Sequence, residues 1–229
     1  MISIIAPSRG RPEKSEITMT KWCYLATDAK NFQFVVSVDA NDPKLSKYKE
    51  IYGDYALLIS KNRSCVDAIN NAAEWRARGD IFVVVSDDTD CFAGWDTALL
   101  KELEGKSDYV LKTDDGIQDY IVTMTVCDRV YFEREGYIYH PDFDHQFADT
   151  YLTCKADIRG KLIRSKLKFP HLHYSTQKEQ PDALHKRNDA TWKQGEELFI
   201  KLMKEFSTSD LAKITDISMR NWLRNKGVR

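Results

Sequence analysis

Alternation between short apolar runs and segments with helical periodicity is the feature that most restricts how this chain can fold. The runs ISIIAP, FQFVVSVD, YALLIS and IFVVVS have the length and composition of buried strands, and amphipathic segments separate most of them. This order favours a mostly parallel sheet with helices on its faces. In such sheets, ligands bind beyond the carboxyl ends of the strands.

Acidic residues follow two of these predicted strands. Asp39 ends the run FVVSVD, and Asp87, Asp88 and Asp90 follow the run 81–85. Because parallel strands end on the same edge of a sheet, we expect the four carboxylates on one rim. Hard cations such as Mg²⁺ and Mn²⁺ bind through one or two carboxylates together with the phosphates of a substrate. The cluster therefore indicates a metal site that also takes a diphosphate.

Other interpretations of this cluster stay open. The D-x-D formed by Asp88 and Asp90 arises by chance in many acidic loops, and Asp90 could instead cap the helix predicted in GWDTALLKELEG. The chain has no G-x-G-x-x-G after its first strand and no G-x-x-x-x-G-K-[ST]. A dinucleotide-binding or P-loop site is therefore unsupported.

Length and composition indicate either one large domain with a real core or one such domain with a C-terminal appendage. Of the 229 residues, 42% are hydrophobic and 30% are charged. The five cysteines are widely spread without a C-x-x-C pair, so we expect reduced thiols rather than a disulfide framework or a zinc ribbon. No run approaches the ~20 apolar residues of a membrane helix, so we expect no transmembrane segment and a cytoplasmic location.

The net charge of -1 conceals a division along the chain. Residues 1–154 contain 17 Lys and Arg against 26 Asp and Glu, whereas residues 155–229 contain 17 against 9. The basic part could meet a pyrophosphate, a nucleic-acid backbone or the acidic part of the same molecule. A solvated or internally paired surface explains the same pattern.

Three stretches, taken in order, resemble the GT-A nucleotide-sugar glycosyltransferases, in particular the family-2-like members. IIAPSRGRPE is similar to the opening strand and turn of that family, and VVSVDAND is similar to its second strand. NRSCVDAINNAAEWRARGDIFVVVSDDTD resembles its N-x(7)-N…A-x-G-D-hhhh-D-x-D segment, with Asn62 and Asn70 at the matching spacing. Ile69 stands where the family often has an arginine that contacts phosphate, and Lys61 or Arg63 could substitute for it.

The resemblance implies an α/β protein with the GT-A, Rossmann-like fold, in which a mostly parallel sheet is flanked by helices and followed by a C-terminal helical extension. Residues 1–175 would form the glycosyltransferase domain, with a nucleotide-sugar-binding part over 1–105 and an acceptor-side part over 106–175. Residues 176–229 would form a loop and helices packed on the same domain.

The resemblance also implies a set of donor ligands. Asp39 would contact the nucleotide base, and the acidic cluster would contact ribose and metal. The implied donor-binding residues are Pro7, Ser8, Arg11, Asp39, Asn62, Arg63, Asp87 and Asp88.

The implied metal is Mn²⁺ or Mg²⁺, bound by Asp88 and Asp90 with a histidine from FPHLHYS. That histidine is His173 by preference and His171 otherwise, because period-two spacing places both on one face of an extended segment. The aspartates fit the family pattern in two registers, Asp87 with Asp90 or Asp88 with Asp90, and the choice stays open.

The later part of the chain matches more loosely and contains a candidate base. In HQFADTYLTCKADIRG, Asp149 occupies the place of the carboxylate that deprotonates the acceptor hydroxyl in inverting members of the family. A base so placed contributes about 10²- to 10⁴-fold to a rate. The alternative is an exposed aspartate that the helix dipole favours. Among the tryptophans, Trp95 is the candidate for an acceptor pocket.

Several further elements are predicted from local pattern. RSCVDAINNAAEWRARG predicts a helix that Gly79 ends, YIVTMTVCDRVYF predicts one or two strands, and KLIRSKLKF predicts another strand. HQFADTYLTCKADIRG predicts a helix ended by Gly160, and WKQGEELFIKLMKEF an amphipathic helix. The basic segment HKRNDATWKQGEEL predicts a loop, either solvated or closing over a leaving diphosphate.

These features together predict a metal-dependent glycosyltransferase that moves a sugar from a nucleotide diphosphate donor, with a UDP-sugar favoured, to an acceptor hydroxyl with inversion. The acceptor could be a glycan, a small molecule or modified DNA. Transfer to hydroxymethylated DNA bases, as in phage DNA glycosyltransferases, is a second hypothesis, to which the basic residues 155–229 contribute. A third is a nucleotidyltransferase-like or non-catalytic nucleotide-binding protein that uses the same acids.

Overall fold

The computed structural model describes residues 1–172 and 182–229. In these residues one sheet has the strand order β3-β2-β1-β4-β6-β5-β7. The strands are β1 (Ile2–Ser8), β2 (Phe32–Asp39), β3 (Leu57–Ser60), β4 (Ile81–Val84), β5 (Val110–Asp114), β6 (Val126–Asp128) and β7 (Leu162–Lys168).

Helices cover both faces of the sheet and continue beyond it. They are α1 (Pro12–Leu25), α2 (Leu45–Ala56), α3 (Cys65–Trp75), α4 (Trp95–Leu103), α5 (Arg129–Glu135), α6 (Ala148–Ile158), α7 (Ala183–Asp189), α8 (Trp192–Met203), α9 (Thr208–Leu211) and α10 (Ile217–Asn225), with a 3₁₀ turn at Ala29–Asn31. Of the helices in 1–172 and 182–229, none combines the length and hydropathy needed to span a bilayer.

The middle of the sheet is parallel, as the alternating pattern predicts. β1 pairs in parallel with β2 on one side and with β4 on the other, and β2 pairs in parallel with β3. β6 runs antiparallel to both β4 and β5, while β5 and β7 are parallel. The prediction of a mostly parallel α/β sheet is confirmed. It also follows that β1, β2 and β4 end on the same edge.

The central strand β4 is apolar along its whole length because both faces of the sheet are covered. In β4, Phe82 and Val84 belong to the core on one face, and Ile81 and Val83 belong to the core on the other. Their side chains are at most 9% exposed. This double burial fixes the positions of the residues that follow each strand.

Two predicted elements are corrected in the middle of the chain. YIVTMTVCDRVYF contains the short strand β6, but its last residues begin α5 rather than a second strand. The carboxylate of Asp128 accepts a hydrogen bond from the Tyr131 backbone at 2.9 Å and so caps that helix. α3 ends at Trp75, before Gly79. Gly79 instead approaches the Met1 carbonyl, where a Cβ would lie 2.5 Å from the oxygen.

The predicted basic loop HKRNDATWKQGEEL is also corrected, because its first residues form α7. The Asp182 side chain accepts hydrogen bonds from the Leu184 and His185 backbone, and the His185 side chain closes a capping box with the Asp182 backbone. Asp182 lies before the segment HKRNDATWKQGEEL, so the pattern of that segment alone does not reveal the helix cap. α8 then begins at Trp192.

Candidate active site

Two cavities open where β1, β2 and β4 end. The Asp39 cavity has a volume of about 140 Å³, and the Asp88 cavity has a volume of about 390 Å³. Pro7 and Ser8, at the end of β1, line both cavities together with Cys65 at the start of α3. The sheet edge that the sequence indicates as the ligand edge is therefore concave.

Asp39 is held in a hydrogen-bonded arrangement at the wall of its cavity. Its carboxylate accepts hydrogen bonds from the Arg9 guanidinium and, at 2.9 Å, from the Asn62 amide. The Asn62 side-chain oxygen in turn accepts from Ser60 Oγ at 2.6 Å and from Asn71 Nδ2 at 2.9 Å. This network fixes the carboxylate in one orientation. A polar group must be fixed in this way if it is to discriminate between ligands.

The other residues of the asparagine segment have different positions. Arg63 lines the Asp39 cavity, but its guanidinium forms a two-pronged ion pair with Asp67 at 2.7 and 2.8 Å. Asn70 lies elsewhere, because its side chain binds the backbone of Ile138 and Tyr139. The N-x(7)-N spacing therefore combines an asparagine that holds Asp39 with an asparagine that fastens a loop to α3.

Asp87 lies deep in the Asp88 cavity beside cations. Arg11 Nη1 is 3.1 Å from its carboxylate, and Lys14 Nζ is 3.7 Å away. Burial raises the pKa of Asp87 above its ordinary value, although the charges of Arg11 and Lys14 oppose that effect. The Arg11 guanidinium also donates to Asp182 at 2.7 Å and contacts His185 at 3.2 Å. Arg11 thus joins the rim to the start of α7.

Asp88 pairs with His171 in the same cavity. The His171 Nε2 atom lies 3.3 Å from Asp88 Oδ1, and both residues line the cavity. Burial alone would raise the pKa of Asp88, but hydrogen bonds from His171 and Ser86 hold it below its ordinary range. Burial lowers the pKa of His171, and the hydrogen bond and charge of Asp88 raise it overall.

Backbone contacts bring His171 to this position across more than eighty residues. Thr89 and His171 form an antiparallel bridge, and the Leu172 N–H donates to the Asp88 carbonyl at 2.7 Å. The His171 N–H donates to the Asp115 carbonyl at 3.0 Å. His173, the preferred histidine of the sequence prediction, lies outside the described residues.

Asp90 does not join the other two aspartates. Its carboxylate pairs with Lys21 of α1 at 2.5 Å and accepts the Cys91 N–H at 2.8 Å. Among the described residues that line the Asp39 and Asp88 cavities, Asp90 is absent. The structure therefore brings Asp87 and Asp88 together at the cavity and turns the third carboxylate toward a helix.

The donor atoms at Asp88 fit a hard cation that takes most of its ligands from elsewhere. Within 1–172 and 182–229, no group of three or more His, Cys, Asp or Glu side chains is arranged to hold a metal by itself. Asp88 and His171 nevertheless offer one carboxylate and one imidazole nitrogen side by side. Mg²⁺ and Mn²⁺ sites of this kind are completed by phosphates and water.

Asp149 also lines the Asp88 cavity and lies in the first turn of α6. Phe147, the residue that precedes this helix, has φ of 68°, a left-handed conformation that is rare for a bulky side chain. The Thr150 N–H donates to the Asp149 carboxylate at 2.7 Å. Burial raises the pKa of Asp149 above its ordinary value despite this hydrogen bond. A carboxyl group in such a setting is suited to accept a proton.

A third cavity, the aromatic cleft, has a volume of about 600 Å³ and shares Ile117, Gln118, Gln146 and Asp149 with the Asp88 cavity. Its lining includes Trp192 and Trp222 of the C-terminal helices. Sequence reasoning missed both, because amphipathic helices use aromatic residues in cores just as often. Trp95, the tryptophan predicted for an acceptor pocket, is fully buried and packs against Trp22 with ring centroids 4.9 Å apart, so that prediction is wrong.

Comparison with solved structures identifies proteins of similar architecture. The mannosyltransferase PcManGT from Pyrobaculum calidifontis, in complex with GDP-Man and Mn²⁺, is 14% identical over 99% of this chain and 84% of its own, with a TM-score of 0.58. S. aureus TarS in complex with UDP-GlcNAc is 14% identical over 97% of this chain and 70% of its own, with a TM-score of 0.65.

Glucosyl-3-phosphoglycerate synthase from Mycobacterium tuberculosis, in complex with Mn²⁺, UDP and glucosyl-3-phosphoglycerate, is 12% identical over 88% of this chain and 79% of its own, with a TM-score of 0.60. The sequence matches no protein-family model and no curated protein sequence. At these identities the likeness concerns architecture. The chain has the GT-A fold of these nucleotide-sugar glycosyltransferases, as its sequence resemblance predicts.

Proposed function

We propose that this protein transfers a sugar from a nucleotide diphosphate donor to an acceptor hydroxyl, with inversion at the anomeric carbon. The observation that carries this proposal is the arrangement of Asp39, the Asp88–His171 pair and Asp149 around adjoining cavities at one sheet edge. Glycosyl transfer needs a group that binds the nucleotide, a group that binds the diphosphate and a group that takes the proton of the hydroxyl. Asp39, the Asp88–His171 pair and Asp149 would fill these three roles in that order.

The donor would lie along the ends of β2, β1 and β4. The Asp39 carboxylate, held by Arg9 and Asn62, can accept a hydrogen bond from an N–H of the base, for which uracil is the favoured candidate. Arg11 supplies a fixed positive charge at the adjoining cavity, where the diphosphate would lie. Pre-positioned cations stabilise the charge that develops on a leaving diphosphate.

Asp88 and His171 are the described residues that would hold a Mn²⁺ or Mg²⁺ ion. When bound, such an ion neutralises diphosphate charge as a Lewis acid. The resemblance to family members with a D-x-D adds Asp90 and His173 as candidate ligands, and Asp90 would first have to leave Lys21. Solved structures of similar fold contain Mn²⁺ together with GDP-Man or with UDP, which supports the cofactor.

Asp149 is the proposed base. Its carboxylate would take the proton from the acceptor hydroxyl while the hydroxyl oxygen bonds to the anomeric carbon. The bond between that carbon and the diphosphate oxygen breaks, and its electron pair leaves with the nucleoside diphosphate. The pKa raised by burial makes the carboxylate a stronger base than an exposed aspartate.

Calorimetric titration with UDP-glucose, UDP-GlcNAc and GDP-mannose, with Mn²⁺ and then with EDTA, tests this proposal. We expect one donor to bind with Mn²⁺, to bind far more weakly with EDTA, and to be hydrolysed slowly to the nucleoside diphosphate. Binding of none of the donors would contradict the proposal. Release of pyrophosphate from a nucleoside triphosphate and a sugar phosphate would instead favour the nucleotidyltransferase hypothesis.

A further inference from the structure

The aromatic cleft adjoins the Asp88 cavity at Asp149. It shares four lining residues with the Asp88 cavity, Asp149 among them, so a group held in the cleft can reach the same carboxylate. We propose that this cleft binds the acceptor and that the acceptor is a neutral saccharide whose ring stacks on Trp192. This inference rests on the proposed glycosyl transfer and adds the chemical class of the acceptor.

The indole of Trp192 is exposed to solvent at the wall of the cleft. It is 56% exposed, and it meets the Phe147 ring nearly at right angles, with ring centroids 5.0 Å apart and an interplanar angle of 69°. Phe147 in turn stacks on Phe199 at 5.7 Å, which is fully buried. The exposed ring is therefore supported from behind by the core.

Trp222 of α10 adds a second ring to the same cleft. It lies nearly parallel to Phe147, at 28° and 6.3 Å, and Lys226 covers one of its faces at 5.2 Å. The C–H groups of a pyranose ring carry partial positive charge and pack against the negative face of an indole. The carboxylates and amides that also line the cleft can bond the hydroxyl groups of a sugar whose flat face packs on an indole.

The charges around the cleft distinguish a neutral acceptor from a phosphorylated one. Asp119, Asp149 and Asp216 line it, and none of them forms an ion pair within the part of the chain that the structure describes. Glu196 also lines it, but Lys226 neutralises this carboxylate at 2.7 Å. Three unpaired carboxylates repel a phosphodiester, whereas they accept hydrogen bonds from sugar hydroxyls.

This charge pattern also bears on the DNA hypothesis. Residues 155–229 are basic overall, yet the walls of the cleft that reaches Asp149 are acidic. A DNA backbone that entered through this cleft would be repelled by these carboxylates. A neutral saccharide meets no such barrier.

The test uses equilibrium titration with four neutral probes, namely methyl β-D-glucopyranoside, methyl α-D-mannopyranoside, maltose and cellobiose, and with a short DNA duplex. Titrations are made with and without the donor product and Mn²⁺. We expect at least one saccharide to bind and Trp192→Ala to weaken its binding by about tenfold, with nucleotide affinity unchanged. Trp192→Phe, which keeps a ring, is expected to retain most of the affinity.

Trp75→Ala is the matched control, because Trp75 is also 56% exposed but lies at the end of α3, away from the cleft. Equal saccharide affinities for Trp192→Ala and Trp75→Ala would overturn the proposal. So would a wild-type protein that binds donor but none of the four saccharides, or one whose DNA binding depends on Trp192. Those outcomes leave the proposed function standing, whereas failure to bind any donor refutes that function whatever the saccharides do.

Discussion

The two cavities that meet at Asp149 are lined by different types of residue. On the donor side, charged residues follow β1, β2 and β4 and are held in pairs, such as Arg9 with Asp39 and His171 with Asp88. On the other side, aromatic rings from the turn before α6 and from the C-terminal helices form the wall. The first side suits a charged ligand such as the proposed nucleotide donor, which is the same in every catalytic cycle. We propose that the second side binds the neutral acceptor and thereby determines what is modified.

Asp149 lies between the two sides, so its replacement has the largest expected effect. Asp149→Asn is expected to lower the transfer rate by about 10²- to 10⁴-fold while donor affinity stays the same. In the folded state burial raises the pKa of Asp149, so its contribution to stability is lost as pH rises through that pKa. The asparagine cannot ionise, so we also expect a higher melting temperature at pH 7. Lost transfer with a lowered melting temperature would indicate a structural role instead.

The donor side can be tested through the contrast between Asp88 and Asp90. Asp88→Asn is expected to weaken Mn²⁺-dependent donor binding by about 100-fold, because it removes the carboxylate beside His171. Asp90→Asn removes only a contact to Lys21 and the Cys91 backbone, and we expect a change below about threefold. Calorimetric titration of both variants measures the difference. Equal losses would support a metal site that includes Asp90.

On the acceptor side, the backbone of Gly195 in α8 packs closely against the turn that precedes α6. A Cβ at this position would lie 2.4 Å from the Gln146 carbonyl oxygen, next to the turn that presents Asp149. Gly195→Ala is expected to cost about 1–3 kcal/mol of unfolding free energy and to reduce transfer about tenfold. Gln194→Ala, at an exposed neighbouring position, is the control. Chemical denaturation and transfer rates measure both; an unchanged Gly195→Ala protein would contradict this role for the packing at Gly195.

The last prediction concerns how the transfer rate depends on pH. Asp149 must be ionised to take a proton, and burial raises its pKa above the ordinary 3.8 of an aspartate, with His171 as an opposing charge. The transfer rate at low donor concentration should therefore rise with pH through a value above 3.8 and then level off. Below that value the rate should fall about tenfold per pH unit. A rate that stays constant down to pH 3.8 would exclude Asp149 as the base.

The sequence predicted the residues at the strand edge better than those of the aromatic cleft, and the reason is physical. A buried parallel strand fixes the position of the residue after it, so the positions of Asp39, Asp87 and Asp88 follow from local pattern. The same reasoning has a limit at Asp128, which also ends a strand. Because β6 is antiparallel, Asp128 lies beside Ile81 at the opposite edge and caps α5.

The aromatic cleft could not be found in this way. Trp95 and Trp192 both begin helices, and nothing in their immediate sequence distinguishes the buried ring from the exposed one. Their positions depend on contacts between distant segments, such as α8 against the Gln146–Phe147 turn. The pairing of Asp90 with Lys21 is likewise a contact between α1 and the loop after β4.

The most direct test of the central claim is a crystal structure with Mn²⁺ and the nucleoside diphosphate of the donor that binds. The account predicts an anomalous manganese peak about 2.1 Å from a carboxylate oxygen of Asp88 and near His171 Nε2, with the base beside Asp39. The distal phosphate should then point toward Asp149. A nucleotide bound elsewhere, or a metal peak remote from Asp88, would contradict the assignment of this sheet edge as a glycosyl-transfer site.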